Sequence, residues 1–329
     1  MSELGISLLI STYKSNSIVI YSQHGGEQVK MPRPMGIGVD GDRLAFGVLN
    51  AVHIYQRHLG LEGRPDNPRT AAYVPQHVRF TGDIEIHELH YLDRKPVFTN
   101  TRFSCLAELS ETHSFIEVWR PPFIDRLMAE DRCHLNGFAA HGGKILFASA
   151  MATTNTRYGW RGNKLRGGVI LDVKTGEVAV SGLCMPHSPR WYDDQLYFLN
   201  SGKGEVCVAD PERGSYNVLT TVPGYARGLD ICGDLMFVGV SRPRSIVEQS
   251  GLEVEVDGFD FCGVAVINRR TGEILNSLGF EHPVDEVFEV KILKTAFPWI
   301  VPPHDRIVNI AYRHEMEPGE RQAEIEYAQ

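Results

Sequence analysis

Residues 35–56 read MGIGVDGDRLAFGVLNAVHIYQ, and residues 187–210 read HSPRWYDDQLYFLNSGKGEVCVAD. Each is a β-rich run, a tight turn built on Gly or Asp, a second run, a short turn and a third run. Alternating β-branched and aromatic positions bounded by such turns are the signature of antiparallel strands. The unit recurs. RGLDICGDLMFVGVS (227–241) repeats its first half, and HELHYLDRKPVFTNTRFSCLAELS (87–110) and NGFAAHGGKILFASA (136–150) fit the same template. GGVILDVKTGEVAVSG (167–182) and CGVAVINRRTGEILNSLGF (262–280) are near-copies of each other and read as the outer halves of two units. Their TGE segments are turn signals.

Aligning the turns places Met35, His87, Asn136, His187 and Arg227 in one column, spaced by roughly 40 to 50 residues, the period of propeller blades. VDEVFEVKIL (284–293) supplies a sixth inner strand with Glu286 at the column, but KTAFPWIVPPHD after it does not complete a blade. The N-terminal LLISTYKSNSIVIYSQ (8–23) does, having the shape of LAFGVLNAVHIYQR (44–57). The expected fold is therefore an all-β, six-bladed β-propeller over residues 1–295, its last blade closed by N-terminal strands, as propellers close to remove sheet edges. Residues 296–329 are expected to form a partly flexible C-terminal extension. Two stretches, 111–130 and 151–166, fit no strand of the repeat and leave a seven-bladed ring or paired β-sandwiches as alternatives.

With 43% hydrophobic and 22% charged residues in 329, the chain has the composition of an ordinary globular protein. A formal charge of -8 argues against nucleic acid as a partner. No basic-then-apolar leader precedes the first strand, and no apolar run reaches the ~20 residues that span a bilayer. The expected location is the cytoplasm. The cysteines Cys105, Cys133, Cys184, Cys207, Cys232 and Cys262 include no CxxC pair. Most are expected to act as small buried hydrophobes. There is no GxGxxG after a strand, no GxxxxGK[ST] and no GxSxG.

Strand starts of a propeller gather at one mouth of the central channel. Here they bring His87, His187 and, two residues before Asn136, His134, together with Arg227 and Glu286. Three imidazoles from three blades suit a divalent transition metal, zinc before iron or copper, and three protein ligands leave a position for water or substrate. Calcium is disfavoured because it takes oxygen ligands. Asp83, Glu85, Asp131 and Glu286 are candidates to orient the rings. Arg227, Arg102 and Arg190 are candidate anchors for an anionic group, and Glu286 for proton transfer. Against this, a single histidine near a strand start more often makes a hydrogen bond than a metal bond. Cys133, beside His134 on an extended chain, points the other way. WRPPFI (119–124) reads as a rim or lid, or as an ordinary packed loop.

Eight blocks, MPRPMGIGV, TGDIEIHEL, NTRFSCL, WRPPFI, EDRCHLNG, MPHSPRW, PGYARGL and VGVSRPR, occur in order over residues 30–295. They resemble an uncharacterised bacterial family, a conserved domain of unknown function, which implies a propeller-like fold and no established reaction. A looser likeness, of fold and ligand type alone, is to propeller peptidylglycine-amidating lyases and glutaminyl cyclases. The expected function is a metal-dependent enzyme of lyase, hydrolase or cyclase type acting on a small anionic molecule or a peptide end. The alternatives are an iron or copper oxygenase using the same ring, and a non-catalytic binding or scaffold propeller.

Overall fold

The computed structural model describes residues 4–63, 68–242 and 261–305. Its strands form six antiparallel sheets in a ring. Blade one contains β4 (Ile37–Asp40), β5 (Arg43–Val48), β6 (Ala51–Arg57) and β7 (Ala71–Phe80), counted outward from the channel. Blade two contains β8 (Ile86–Leu92), β9 (Lys95–Asn100), β10 (Cys105–Glu108) and β11 (Ile116–Trp119). Blade three contains β12 (Leu135–His141), β13 (Lys144–Ala150), β14 (Gly168–Asp172) and β15 (Val178–Leu183). Blade four contains β16 (Pro186–Tyr192), β17 (Gln195–Asn200), β18 (Glu205–Asp210) and β19 (Ser215–Thr221). Blade five contains β20 (Tyr225–Cys232), β21 (Leu235–Ser241), β22 (Gly263–Asn268) and β23 (Ile274–Gly279).

The sixth blade joins the two ends of the chain as the repeat requires. β24 (Glu289–Leu293) is its inner strand, and β1 (Ser7–Thr12), β2 (Ser17–Ser22) and β3 (Gly25–Lys30) complete it. β24 runs antiparallel to β1, with Ser7 opposite Leu293 and Ser11 opposite Glu289. Among the described residues there is no α-helix, only short 3-10 turns. The two TGE segments form the same turn. Gly176 and Gly272 donate to the carbonyls of Asp172 and Asn268, and Thr175 and Thr271 are held by the side chains of those two residues.

Strands such as β5 are buried on both faces because each blade is covered on either side by a neighbour. Six of the seven core clusters among the described residues lie at the blade interfaces, one at each, and the seventh gathers Leu61, Ala72, Val74 and Val301 at the outer side of blade one. Phe98 and Leu89 pack on Ala45 and Val52 between blades two and one, and Val290 and Leu8 pack on Phe237 and Val264 between blades six and five. Each fully buried aliphatic or aromatic side chain contributes about 1.5–3 kcal/mol.

Of the two unassigned stretches, 111–130 supplies the outer strand of blade two and part of the link to blade three, and 151–166 is an insertion within blade three. Residues 111–130 include β11, and 151–166 include a 3-10 turn at Gly159–Asn163. In the stretch read as a C-terminal extension, β25 (Pro298–Ile300) lies parallel to β7 and covers part of its outer edge. Residues 306–329 lie outside the described residues.

Candidate functional site

A cavity of about 820 Å³ opens at the mouth where the inner strands begin. His87, His134, His187, Arg227 and Glu286 all line it. What places them there is a shared backbone device. The inner strands of blades two to five each break register near this end, between Ile86 and Leu89, Leu135 and Gly137, His187 and Arg190, and Ala226 and Leu229. Such bulges re-aim side chains. The residue just before each of these strands is left-handed: Glu85 (φ 57°), His134 (φ 51°), Met185 (φ 52°) and Gly224 (φ 152°).

This alignment shows that His134 is not the third-blade counterpart of His87 and His187. Asn136 is, whereas His134 occupies the left-handed position before β12.

His87 and His187 are held alike. His87 Nδ1 lies 3.0 Å from the carbonyl of Glu85 and 3.0 Å from Thr101 Oγ1. His187 Nδ1 lies 2.9 Å from the carbonyl of Met185 and 2.9 Å from Ser201 Oγ. A carbonyl only accepts, so Nδ1 carries a proton in both rings. Thr101 Oγ1 donates to the carbonyl of Leu135 at 2.6 Å, which tethers the His87 lock to blade three. Thr101 and Ser201 each stand fourteen residues after their histidine, in FTNT and FLNS. The repeat alignment contains that signal, and reading it for histidines alone passes over it.

His134 is held by a carboxylate instead. Its Nδ1 is 2.9 Å from Asp131 Oδ2, which also accepts from Trp160 Nε1 at 2.9 Å. The Trp160 ring packs on His134 with centroids 4.3 Å apart. His134 in turn meets His87 edge to face at 4.8 Å. Trp160 comes from the unassigned 151–166 insertion, whose path only the folded chain reveals.

Burial, reinforced by His134, Arg227 and His187 nearby, holds His87 well below the usual imidazole range, so the ring is neutral at pH 7. Among the described residues, no three His, Cys, Asp or Glu side chains form a group set to hold a metal ion.

The Arg227 guanidinium lies flat on the Phe288 ring, 3.3 Å from its centroid, and 3.8 Å from Glu286 Oε1. Phe288 also meets His87 edge to face at 5.2 Å and stacks with Tyr13. Phe288 therefore joins the cationic and imidazole halves of the cavity, a role sequence reasoning missed. Arg242, also on the wall, pairs with Asp285 at 2.9 Å.

The other two arginines are not brought to the cavity surface. Arg102 donates to the carbonyl of Asp83 at 2.6 Å and to Glu85 Oε1 at 3.0 Å, bracing the turn before β8. Arg190 points into the channel below the cavity. Its Nε donates to the carbonyl of Leu229, Nη1 to Glu88 and the carbonyl of Pro189, and Nη2 to both oxygens of Glu289. Those bonds occupy all five N–H groups of a guanidinium. Of the proposed ring-orienting carboxylates, Asp131 does hold His134, Glu85 holds His87 through its backbone, and Asp83 pairs with Arg33 and Arg102. Cys133 is buried in the core between blades two and three, which pushes its thiol up to about 12.

Six four-stranded units closed by the chain ends, with a histidine-bearing mouth, define a six-bladed β-propeller. The chain belongs to the family described as a domain of unknown function (DUF4915), whose model matches residues 1–301. No protein of curated function matches it. Among solved structures, it is similar to a chain of a nidogen/laminin complex at 10% identity and a TM-score of 0.57, covering 88% of this chain and 100% of that one. It is also similar to a protein of unknown function from Bacteroides caccae at 7% identity and a TM-score of 0.52, covering 88% of this chain and 99% of that one. Likeness at this identity shows the fold alone.

Proposed function

We propose that the mouth cavity is the active site of a metal-dependent enzyme of lyase, hydrolase or cyclase type, acting on a small anionic molecule or a peptide end. The observation that carries this is the repeated lock on His87 and His187. Nδ1 bound to a backbone carbonyl is how metal-ligating histidines are oriented by the groups behind them. His134, with Asp131 behind it, is the third ligand. Zinc suits three imidazoles and redox-silent chemistry, and iron or copper in the same ring would suit oxygenation. His87, His134 and His187 would hold the ion, which would supply Lewis-acid chemistry at the mouth. Arg227, spread on Phe288, anchors the anionic group through its edge, and Glu286 beside it moves protons.

A second reading is a non-catalytic propeller that binds an anion, favoured by the absence of a preset ion-holding group among the described residues. Zinc titration by calorimetry with elemental analysis separates the two. Under the first reading, the protein takes about one equivalent of metal, and His87→Ala and His187→Ala each weaken binding at least tenfold while remaining folded. A chain that neither retains metal nor binds zinc sinks the enzyme reading. Carboxylate or phosphate binding lost on Arg227→Met would then establish the second.

A further inference from the structure

Below the cavity, the channel holds a layer of charge that the proposed chemistry does not use. Arg190 from blade four reaches Glu88 of blade two and Glu289 of blade six, and donates to the backbone of blade five at Leu229. All three ionic side chains are at least nine-tenths buried. His90, whose Nε2 is 2.8 Å from Glu88 Oε1, and the buried Lys291 and nearby Asp230 complete the layer. One guanidinium thus ties together three alternate blades of the ring.

The anchor points of this clamp adjoin the residues that face the cavity. Glu88 immediately follows His87. Arg190 follows His187 across the bulge of Ser188 (φ 50°) and Pro189, and closes that bulge by donating to the Pro189 carbonyl at 2.9 Å. Ser188 Oγ accepts from the Gly228 amide at 3.1 Å, next to Arg227. Blade three makes room for the span. A Cβ on Gly137 would stand 2.5 Å from Glu88 Oε2 and 2.8 Å from Pro189 Cδ. No side chain fits between the two bulges at that point.

We propose that Arg190, with Glu88 and Glu289, is a positioning strut that sets how far apart His87 and His187 stand and how their rings face. This rests on reading those histidines as the working groups of the cavity. The strut acts through the backbone of the two bulges, so its residues touch no ligand. Lysine cannot replace Arg190, because one ammonium cannot span two carboxylates and two carbonyls in fork geometry.

The test is the imidazole nitrogen spectrum of the metal-free protein, recorded by long-range 1H–15N correlation for wild type, Arg190→Lys and Glu88→Gln. In wild type, His87 and His187 show the Nδ1–H tautomer. In Arg190→Lys both rings shift and mix tautomers while the far-ultraviolet dichroism of the sheets is kept, and zinc affinity drops by about 10–100-fold. If Arg190→Lys does not fold, the near-isosteric Glu88→Gln gives the same reading at His87. Unchanged ring signals in a variant whose melting temperature has fallen would make the layer merely structural and overturn the proposal. Because the spectra are taken without metal, a wild-type protein that binds no zinc refutes the enzyme reading and leaves this test intact.

Discussion

Replacing Glu289 by Gln is expected to make stability less dependent on pH, in a direction the buried layer dictates. Burial raises the Glu289 carboxyl from 4.5 to about 7, with Glu88 adding to the rise and Lys291 and Arg190 opposing it. Between those two values the folded chain holds a proton that the unfolded chain has released. Stability conferred by that proton is present below pH 4.5 and is lost as pH rises to 7. The whole interval is worth about 3 kcal/mol, most of which falls between pH 5 and pH 8. Glutamine keeps the shape and an acceptor oxygen for Arg190 but cannot ionise. Relative to wild type, Glu289→Gln should therefore gain about 2–3 kcal/mol on going from pH 5 to pH 8. The neutral buried histidines His87 and His90, both held well below 6.5 by burial, act in the opposite sense. They are present in both chains and largely cancel in the comparison. Urea unfolding at four pH values, with unchanged m, measures the difference. Parallel profiles for the two proteins would mean that Glu289 is ionised throughout, and would refute the reasoning.

Gly228 sits at φ +82°, where a Cβ would lie 2.6 Å from the Val290 amide nitrogen and 2.9 Å from Glu289 backbone atoms. Gly228→Ala should cost about 2–4 kcal/mol, combining left-handed strain with overpacking against unyielding backbone, and a calorimetric melting point within 2 °C of wild type would contradict it. Thiol titration of the native protein at pH 8 should label Cys232, which is partly exposed, ahead of the five buried cysteines. Burial pushes Cys133, Cys207 and Cys262 up to about 12, which leaves almost no thiolate. Rapid labelling of Cys133 in folded protein, read by mass spectrometry, would refute its place in the core.

The ring was legible because its punctuation is local. The TGE turns need nothing beyond their own Thr, Asp or Asn and Gly, and the strand between two turns shows itself by alternation. Closure by residues 8–23 was legible because that stretch has the shape of an outer half with no inner strand of its own. The site was legible as a column and no further. The inner strands of blades two to five each carry a bulge next to the column, and one inserted residue turns every following side chain to the other face. Arg190, read as a substrate anchor from its nearness to His187, therefore lies under the cavity. Arg102 lies in the 3-10 turn Thr101–Phe103 after β9, where it faces Asp83 and Glu85. Trp160 and Phe288 were missed because their contacts join segments more than a hundred residues apart or cross a long loop, where no local pattern reports the meeting.

In blades two and four the left-handed residues before the inner strands set their carbonyls against the histidines of the mouth. Glu85 and Met185 have β-carbons, so their conformation costs on the order of 1 kcal/mol each. In blade five the same position is Gly224, which adopts a positive φ at little cost and is followed by no histidine. A fold that needed only to enter an inner strand could use glycine everywhere. In blades two and four the strained residue does something more, turning its carbonyl onto Nδ1 of the histidine two residues later. The Pro186 and Pro189 that flank His187 act together with this lock. They restrict the backbone on either side, while the Met185 carbonyl and Ser201 hold the ring. The same lock thus recurs at two matching positions, and the Glu88–Arg190 contact is the one ionic link on the described residues that joins those two positions directly.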